Sequence, residues 1–391
     1  MALSDLLTME RDSTVYVAEQ TVFNTEVKPS ATSQVLAINE NFPAQQRGWI
    51  EDAQKRRTYS KLTRIAGRFE PGSLPLGFYI KPSGALGTKP ECALLLKSLF
   101  GRETVTASTK VEYFLLRTID TRPFLTVWVL QGHTMFRAIG AIVSQARFPL
   151  KADNSPESIA QCLATVMFAE LRWTGTDELA SGASSAATAL VVVDASKFTT
   201  GSYIKFPTDD NGGAGYQVTA VNIGTNTLTI TPGLGGAQSS GAQVQPWFPA
   251  SYSLGNPVHG RLGLATRAAV NLPMLSAEIT LDNMIKLLNE EKNGLEIANR
   301  FLHRDRRDIK YQADIYFDAN VQKYWSESDR QIRADMVLPW GDTAANRVKL
   351  NLKNVELNRP SLSGAEEKIE RIEGEPFASS SFDDEVNMLF D

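Results

Sequence analysis

The chain has 391 residues, 42% of them hydrophobic and 21% charged, with a formal net charge of −4. That length allows two or three domains with a proper core, while the slight negative balance disfavours tight binding to a nucleic-acid backbone, which needs clustered Lys and Arg. No stretch approaches the roughly twenty apolar residues of a membrane helix, and the two cysteines, Cys92 and Cys162, lie in apolar surroundings expected of buried free thiols.

The opening MALSDLLTMERDST carries acids where a secretory signal would carry a positive start and an apolar core. The protein is therefore expected to be made and kept in the cytosol. Residues 1–64 read as an N-terminal arm and long loop, with VYVAEQTVFNTEV as a first strand. From Asn41 to Tyr59 the residues Arg47, Lys55, Arg56 and Arg57 surround Trp49. Such a segment is either an arm that reaches a neighbouring subunit or an ordinary solvated loop.

The stretch from Arg68 to Gly101 is the one around which the rest of the chain is organised. Leu74, Leu76, Phe78 and Ile80 alternate with Ser73, Pro75, Gly77, Tyr79 and Lys81, the period of a strand with one buried face. Pro75 and Gly77 place that strand at an edge or in a strong bend. Pro82, Gly84 and Gly87 mark a loop, after which Thr88 and Glu91 stand in capping-box register with Pro90 in the first turn. A short buried helix is expected over 89–100, closed by Gly101 in the left-handed conformation.

Apolar runs come next at Val111 to Leu116, Pro123 to Leu130, Ala138 to Phe148 and Ser158 to Trp173, separated by turns. Their spacing is that of an antiparallel meander or barrel, and the intervals are too short for crossover helices. Residues 175–249 change abruptly to Gly, Ala, Ser and Thr. They read as an inserted β-module, a small sandwich or barrel with strands in ALVVVDASKF, SYIKF, YQVTAVN and NTLTITP. Strands resume from residue 250 at SAEITLD, Ile309 to Phe317, Ile332 to Leu338, Arg347 to Leu357 and Glu367 to Pro376, before an acidic, aromatic tail. Between Asp282 and Asp308 the local pattern of Met284, Ile285, Leu287 and Leu288 allows a short helix ending before Gly294, and the segment is left open at this point.

A search for internal repeats finds one of order and length rather than identity. VWVL, AIVSQARF and the strand through Val166 to Leu171 resemble DMVL, LNLKNVEL and the strand through Ile369 to Ile372, about two hundred residues later. A true duplication would mean two similar β-domains, 65–174 and 250–391, interrupted by the insertion.

No catalytic constellation stands out. His133, His259 and His303 are scattered with no zinc-type pairing, and there is no nucleophile elbow, Walker loop or dinucleotide fingerprint. The carboxylate pairs, Asp209 with Asp210 among them, have the character of solvated acids. Neither a metal nor a cofactor is expected, and the chain is not expected to be an enzyme. The strongest charged group is Arg300, Arg304, Arg306, Arg307 and Lys310, interleaved with Asp305 and Asp308. The interleaved acids favour inter-subunit salt bridges over phosphate contacts.

The order of Pro71, Gly72, Ser73, an apolar strand, Lys81, Pro82, Ser83, Gly84, then Pro90, Glu91 and the Leu-rich run from Leu94 to Gly101 resembles the N-terminal half of tail tube (major tail) proteins of long-tailed, siphovirus-type bacteriophages. The resemblance covers about residues 65–172 and 270–380. It implies a mainly β, α+β fold: two tail-tube-type β-barrel or sandwich domains with one buried helix, and the insertion an Ig-like module on the outer surface. It implies a structural virion protein of the phage tail, assembling into stacked rings that form a hollow tube for DNA ejection. The partners implied are the chain itself, as a pseudo-sixfold homotrimer or a homohexamer, with tape measure protein and DNA in the lumen and terminator and baseplate proteins at the ends. By the same analogy the segment 282–308 is mostly a long, extended loop, and the residues from Asn41 to Tyr59 and from Leu288 to Arg307 carry contacts between subunits or successive rings. Two alternatives remain at this point: a tail-associated protein binding cell-surface carbohydrate through Tyr203, Tyr216, Trp247 and Phe248, or a tube-end or baseplate-hub protein. An enzyme acting on polysaccharide through Asp209 and Asp210 is a further rival.

Overall fold

The computed structural model describes residues 13–40, 43–52, 63–116, 122–250, 255–291, 294–317, 323–364, 368–379 and 383–391. The first part holds β1 (Ser13–Gln20), β2 (Gln34–Val35), β3 (Ala37–Glu40), β4 (Arg47–Glu51), β5 (Arg64–Phe69), β6 (Gly72–Tyr79), α1 (Ala93–Phe100), β7 (Gly101–Thr106), β8 (Lys110–Leu115), β9 (Phe124–Gln131), β10 (Thr134–Lys151), β11 (Gln161–Phe168) and β12 (Glu170–Thr174). The insertion holds β13 (Asp177–Glu178), β14 (Ala189–Val191), β15 (Tyr203–Lys205), β16 (Tyr216–Asn222), β17 (Thr227–Thr231) and β18 (Gln243–Pro246). The last part holds β19 (Thr266–Arg267), β20 (Val270–Asn271), β21 (Met274–Asp282), β22 (Ile285–Leu288), β23 (Arg300–His303), β24 (Asp308–Tyr316), α2 (Lys323–Asp329), β25 (Ala334–Trp340), β26 (Val348–Leu357), β27 (Ser361–Ser363), β28 (Ile369–Glu375) and β29 (Val386–Phe390). The protein is mainly β, as its Val, Ile, Phe and Trp-rich runs require.

Strands of the first and last parts join in one hydrogen-bonded network, and one continuous cluster of buried side chains extends from Val15 to Phe390. β6 is flanked on both sides, by β11 along its whole length and by β3 over its second half. It is therefore no edge strand. Pro75 is accommodated because the β3 ladder stops at Leu76 and pairing on that side resumes only at the Ser73–Ala44 bridge.

The helix differs from expectation at its start. It begins at Ala93 with Cys92 as an N-cap that offers no side-chain bond, and the capping box of Thr88 and Glu91 does not form. The Glu91 carboxylate is already committed: it pairs with the buried Lys81 ammonium at 2.9 Å and accepts the Leu36 amide at 2.6 Å. Its other end follows the sequence, with Gly101 at φ 102° and its amide bonded to the Lys97 carbonyl. A Cβ there would lie 2.5 Å from the Leu116 Cβ.

Further corrections concern extent. The run 158–173 is two strands, β11 and β12, and the open question over 282–308 resolves as the hairpin β22–β23. A second helix, α2, precedes β25. The acidic tail ends in β29, an alternating strand between β26 and β8. Cys92 and Cys162 are free and buried, and burial pushes the Cys92 thiol up to about 12.

The same wiring occurs twice. In the first half β1 pairs with β9, β9 with β10, β10 with both β12 and β11, β11 with β6, and β6 with β3. In the second β19 pairs with β25, β25 with β26, β26 with both β29 and β28, β28 with β24, and β24 with β21. Each half puts a helix after β6 or β24 and a hairpin before it, β4–β5 in one and β22–β23 in the other. Even the bends match: β10 passes from one set of partners to the next at Gly140 (φ 64°), and β26 does so at Asn354 (φ 47°). Gly and Asn are the residues that tolerate this left-handed backbone. The halves meet where β10 pairs antiparallel with β21 over seven residue pairs, from Gln145 with Asp282 to Lys151 with Ser276, and again where β29 pairs with β8.

The insertion forms a single six-stranded sheet of order β13-β18-β15-β16-β17-β14 around its own buried cluster, which includes Leu190, Phe206, Tyr216 and Leu228.

Candidate assembly surface

Among the described residues the hairpin β4–β5 forms a two-stranded sheet of its own, joined to no other strand. Its base is fixed: the Arg47 guanidinium meets the Glu296 carboxylate at 3.1 Å, the Phe69 amide donates to the Glu296 carbonyl at 2.8 Å, and the Asn289 side-chain amide donates to the Phe69 carbonyl at 2.9 Å. Beyond the base its apolar side chains are uncovered, with Trp49 49%, Ile50 60% and Ile65 61% exposed. The Arg64 guanidinium stacks on Trp49 at 3.9 Å. Two-stranded hairpins are marginal on their own, and grouped exposed apolar residues mark an interaction site.

The hairpin β22–β23 has the opposite character. Leu287 and Ala298 are buried with Ala169, between β11 and β12, and Phe301 packs edge-on against Phe124 at 4.9 Å. It grips the first half of the molecule.

The structure places the expected contact residues apart. Lys55, Arg56 and Arg57 lie outside the described residues. Arg47 and Arg300 belong to the two hairpins, Arg300 pairing with Glu291 at 3.4 Å. Arg304 and Arg306 are exposed. Arg307 is turned inward: its guanidinium holds Asp383 at 2.7 Å and donates to the Leu116 carbonyl. Arg306 and Arg307 line a cavity of about 660 Å³ together with Arg122, His303, Asp308 and Glu385. Acids and bases share these walls, which gives no cradle of a single sign.

Arg122 escaped sequence reasoning because a lone Arg before a strand carries no periodic signal. It is buried, donates to the Ser98 and Leu99 carbonyls at 2.7 and 2.6 Å, and so satisfies the free carbonyls at the end of α1. Burial and then the nearby Arg307 charge lower its pKa to about 9. Burial, with Arg122 next, also lowers the pKa of His303, whose Nδ1 meets the Asn283 carbonyl at 2.8 Å. His259 faces the Ser158 hydroxyl at 3.0 Å. Among the described residues no group of three or more His, Cys, Asp or Glu is placed to hold a metal ion, and no helix is long and apolar enough to cross a membrane.

The aromatic residues that a glycan-binding module would present are used internally. Tyr216 is fully buried, and Tyr203 and Trp247 join Trp128, Tyr16, Leu130 and Met135 in a cluster between the insertion and the barrel strands, with Phe248 against it. The Lys28 ammonium lies 4.0 Å from the Trp247 ring and 4.4 Å from the Tyr203 ring. Asp209 accepts the Tyr216 hydroxyl at 2.6 Å and the Gly236 amide at 3.0 Å, and Asp210 accepts the Gly213 amide at 2.9 Å. These carboxylates shape turns, as Asx side chains do.

No protein-family model matches the chain, and no curated protein matches it significantly.

Proposed function

We propose that this is a structural protein that assembles with copies of itself, and that it is a tail tube protein of a long-tailed bacteriophage. The observation that carries the self-assembly reading is the β4–β5 hairpin, a fixed base bearing uncovered Trp49, Ile50 and Ile65. Ile50 and Ile65 stand opposite each other on one face of the ribbon, and full burial of a side chain of this size is worth about 1.5–3 kcal/mol, so a partner that covers that face gains a specific anchor. The phage identification rests on the sequence resemblance over 65–172 and 270–380.

In this reading, sheets joined around a ring leave no strand edge open, and rings stack into a hollow tube through which DNA slides. The insertion, Ig-like by resemblance, faces outward, and the chain does no catalysis. Three copies, each contributing two halves, build one ring.

Negative-stain electron microscopy with mass photometry over a range of concentrations tests this. Rings or tubes with a channel about as wide as a DNA duplex are expected, with a symmetry that can be counted. Monomers at every concentration would sink the proposal.

A further inference from the structure

We infer that copies of this chain associate head to tail by repeating, between molecules, the β10–β21 junction, one of the two strand pairings that join its halves. The inference rests on the self-assembly reading above and specifies its contact surfaces. Inside one chain the second half presents β21 and the hairpin β22–β23 to the first: β21 adds to the outer edge of β10, and β22–β23 buries Leu287 with Ala169 and packs a half-buried Phe301 against Phe124. The first half owns the equivalent pieces, β3 and the hairpin β4–β5, in the same chain order. Among the described residues they meet no equivalent surface. β3 pairs with β6 alone, and the hairpin carries exposed Trp49, Ile50 and Ile65.

The complementary surface is equally open on the second half. The strand that corresponds to the later part of β10 is the end of β26 continued by β27, and among the described residues it pairs with β28 on one side only. Leu362 on β27 is 48% exposed, and Ile332, just before β25 as Phe124 is at the start of β9, is 42% exposed. The occupant that fits this surface is therefore the β3 and β4–β5 pair of a second copy. β3 adds antiparallel to the β26–β27 edge and the hairpin covers Ile332 and Leu362. Edge addition supplies backbone hydrogen bonds and the apolar contacts set the partner. Such a contact uses different surfaces on the two copies, so it propagates until it closes into a ring.

The test uses two full-length variants, Ile50→Asp with Ile65→Asp on the arm, and Leu362→Asp on the edge, each with its melting curve taken as a folding control. All three positions are exposed, so the monomer fold is expected to persist. Mass photometry of the wild-type chain is expected to give closed oligomers, and either variant alone to give monomers, a loss of at least tenfold in association. Mixed one to one, the arm variant still offers an intact edge and the edge variant an intact arm. The mixture is expected to form two-chain species and stop there. Variants that oligomerise like the wild type, a mixture that stays monomeric, or a wild-type chain that never associates would each overturn the inference. Wild-type oligomers that lack a channel but are abolished by these variants would uphold the contact while removing the tube reading.

Discussion

Glu370 on β28 is a buried carboxylate whose two oxygens find no hydrogen-bond donor among the described residues. Burial pushes its pKa up to about 7. A carboxyl group raised in the folded state is held in its neutral form, so its contribution to stability is complete below the ordinary carboxylate pKa near 4.5 and is lost as pH rises from there through about 7. Glu370→Gln, which keeps the shape and removes the charge, is therefore expected to stabilise the protein at pH 8 by about 1–3 kcal/mol. The gain should vanish at pH 4. Urea melts of both proteins at the two pH values measure it, and a gain independent of pH would show that charge is not the cause. The sequence marks Glu370 only as a polar residue on an alternating strand, because its burial is decided by the tertiary packing around β28.

The α1 element shows how far local signals carry. Its apolar run and Gly101 were legible in the sequence, since a left-handed C-cap is a local requirement. Its start was not. Glu91 stands in capping register, but Lys81, itself 4% exposed, competes for the carboxylate from ten residues upstream. Lys81→Met leaves Glu91 without its cation and is expected to cost about 3–5 kcal/mol, while Lys81→Met combined with Glu91→Leu recovers much of the loss. Thermal denaturation of the single and double variants decides this; equal losses would mean that the pair contributes through packing alone. The far end of α1 depends on Arg122 and on the Asn283 side-chain amide, 2.9 Å from the Leu99 carbonyl. Neither can be assigned to a helix cap from spacing, because Asn283 lies 184 positions away from Leu99.

On the scale of the whole molecule, the insertion is part of the structure rather than an appendage. Arg137 of β10, fully buried, pairs with Glu26 at 2.7 Å and donates to the Thr199 hydroxyl of the insertion, and Tyr16 donates to the Pro249 carbonyl at 3.0 Å. Replacing residues 176–248 by a short Gly/Ser linker would uncover Tyr16, Trp128, Leu130 and Met135. The shortened protein is expected to melt several degrees lower and to bind an apolar dye such as ANS. An unchanged melting temperature and no dye binding would instead make the insertion a dispensable surface module. The compositional break at residue 175 located this insertion, but composition carries no record of which face its aromatic residues meet.

Strand identity, the alternation that selects a buried face, the boundaries of the insertion and the repeated order of strands all follow from local periodicity and turn chemistry, which act over a few residues and can be read along the chain. Which edges are paired, where Glu91, Arg122 and Arg307 find partners, and that one hairpin packs against the first half while its counterpart is bare are set by contacts across ten to about two hundred residues. Many pairings satisfy the same local pattern, and only packing both halves around one core selects among them.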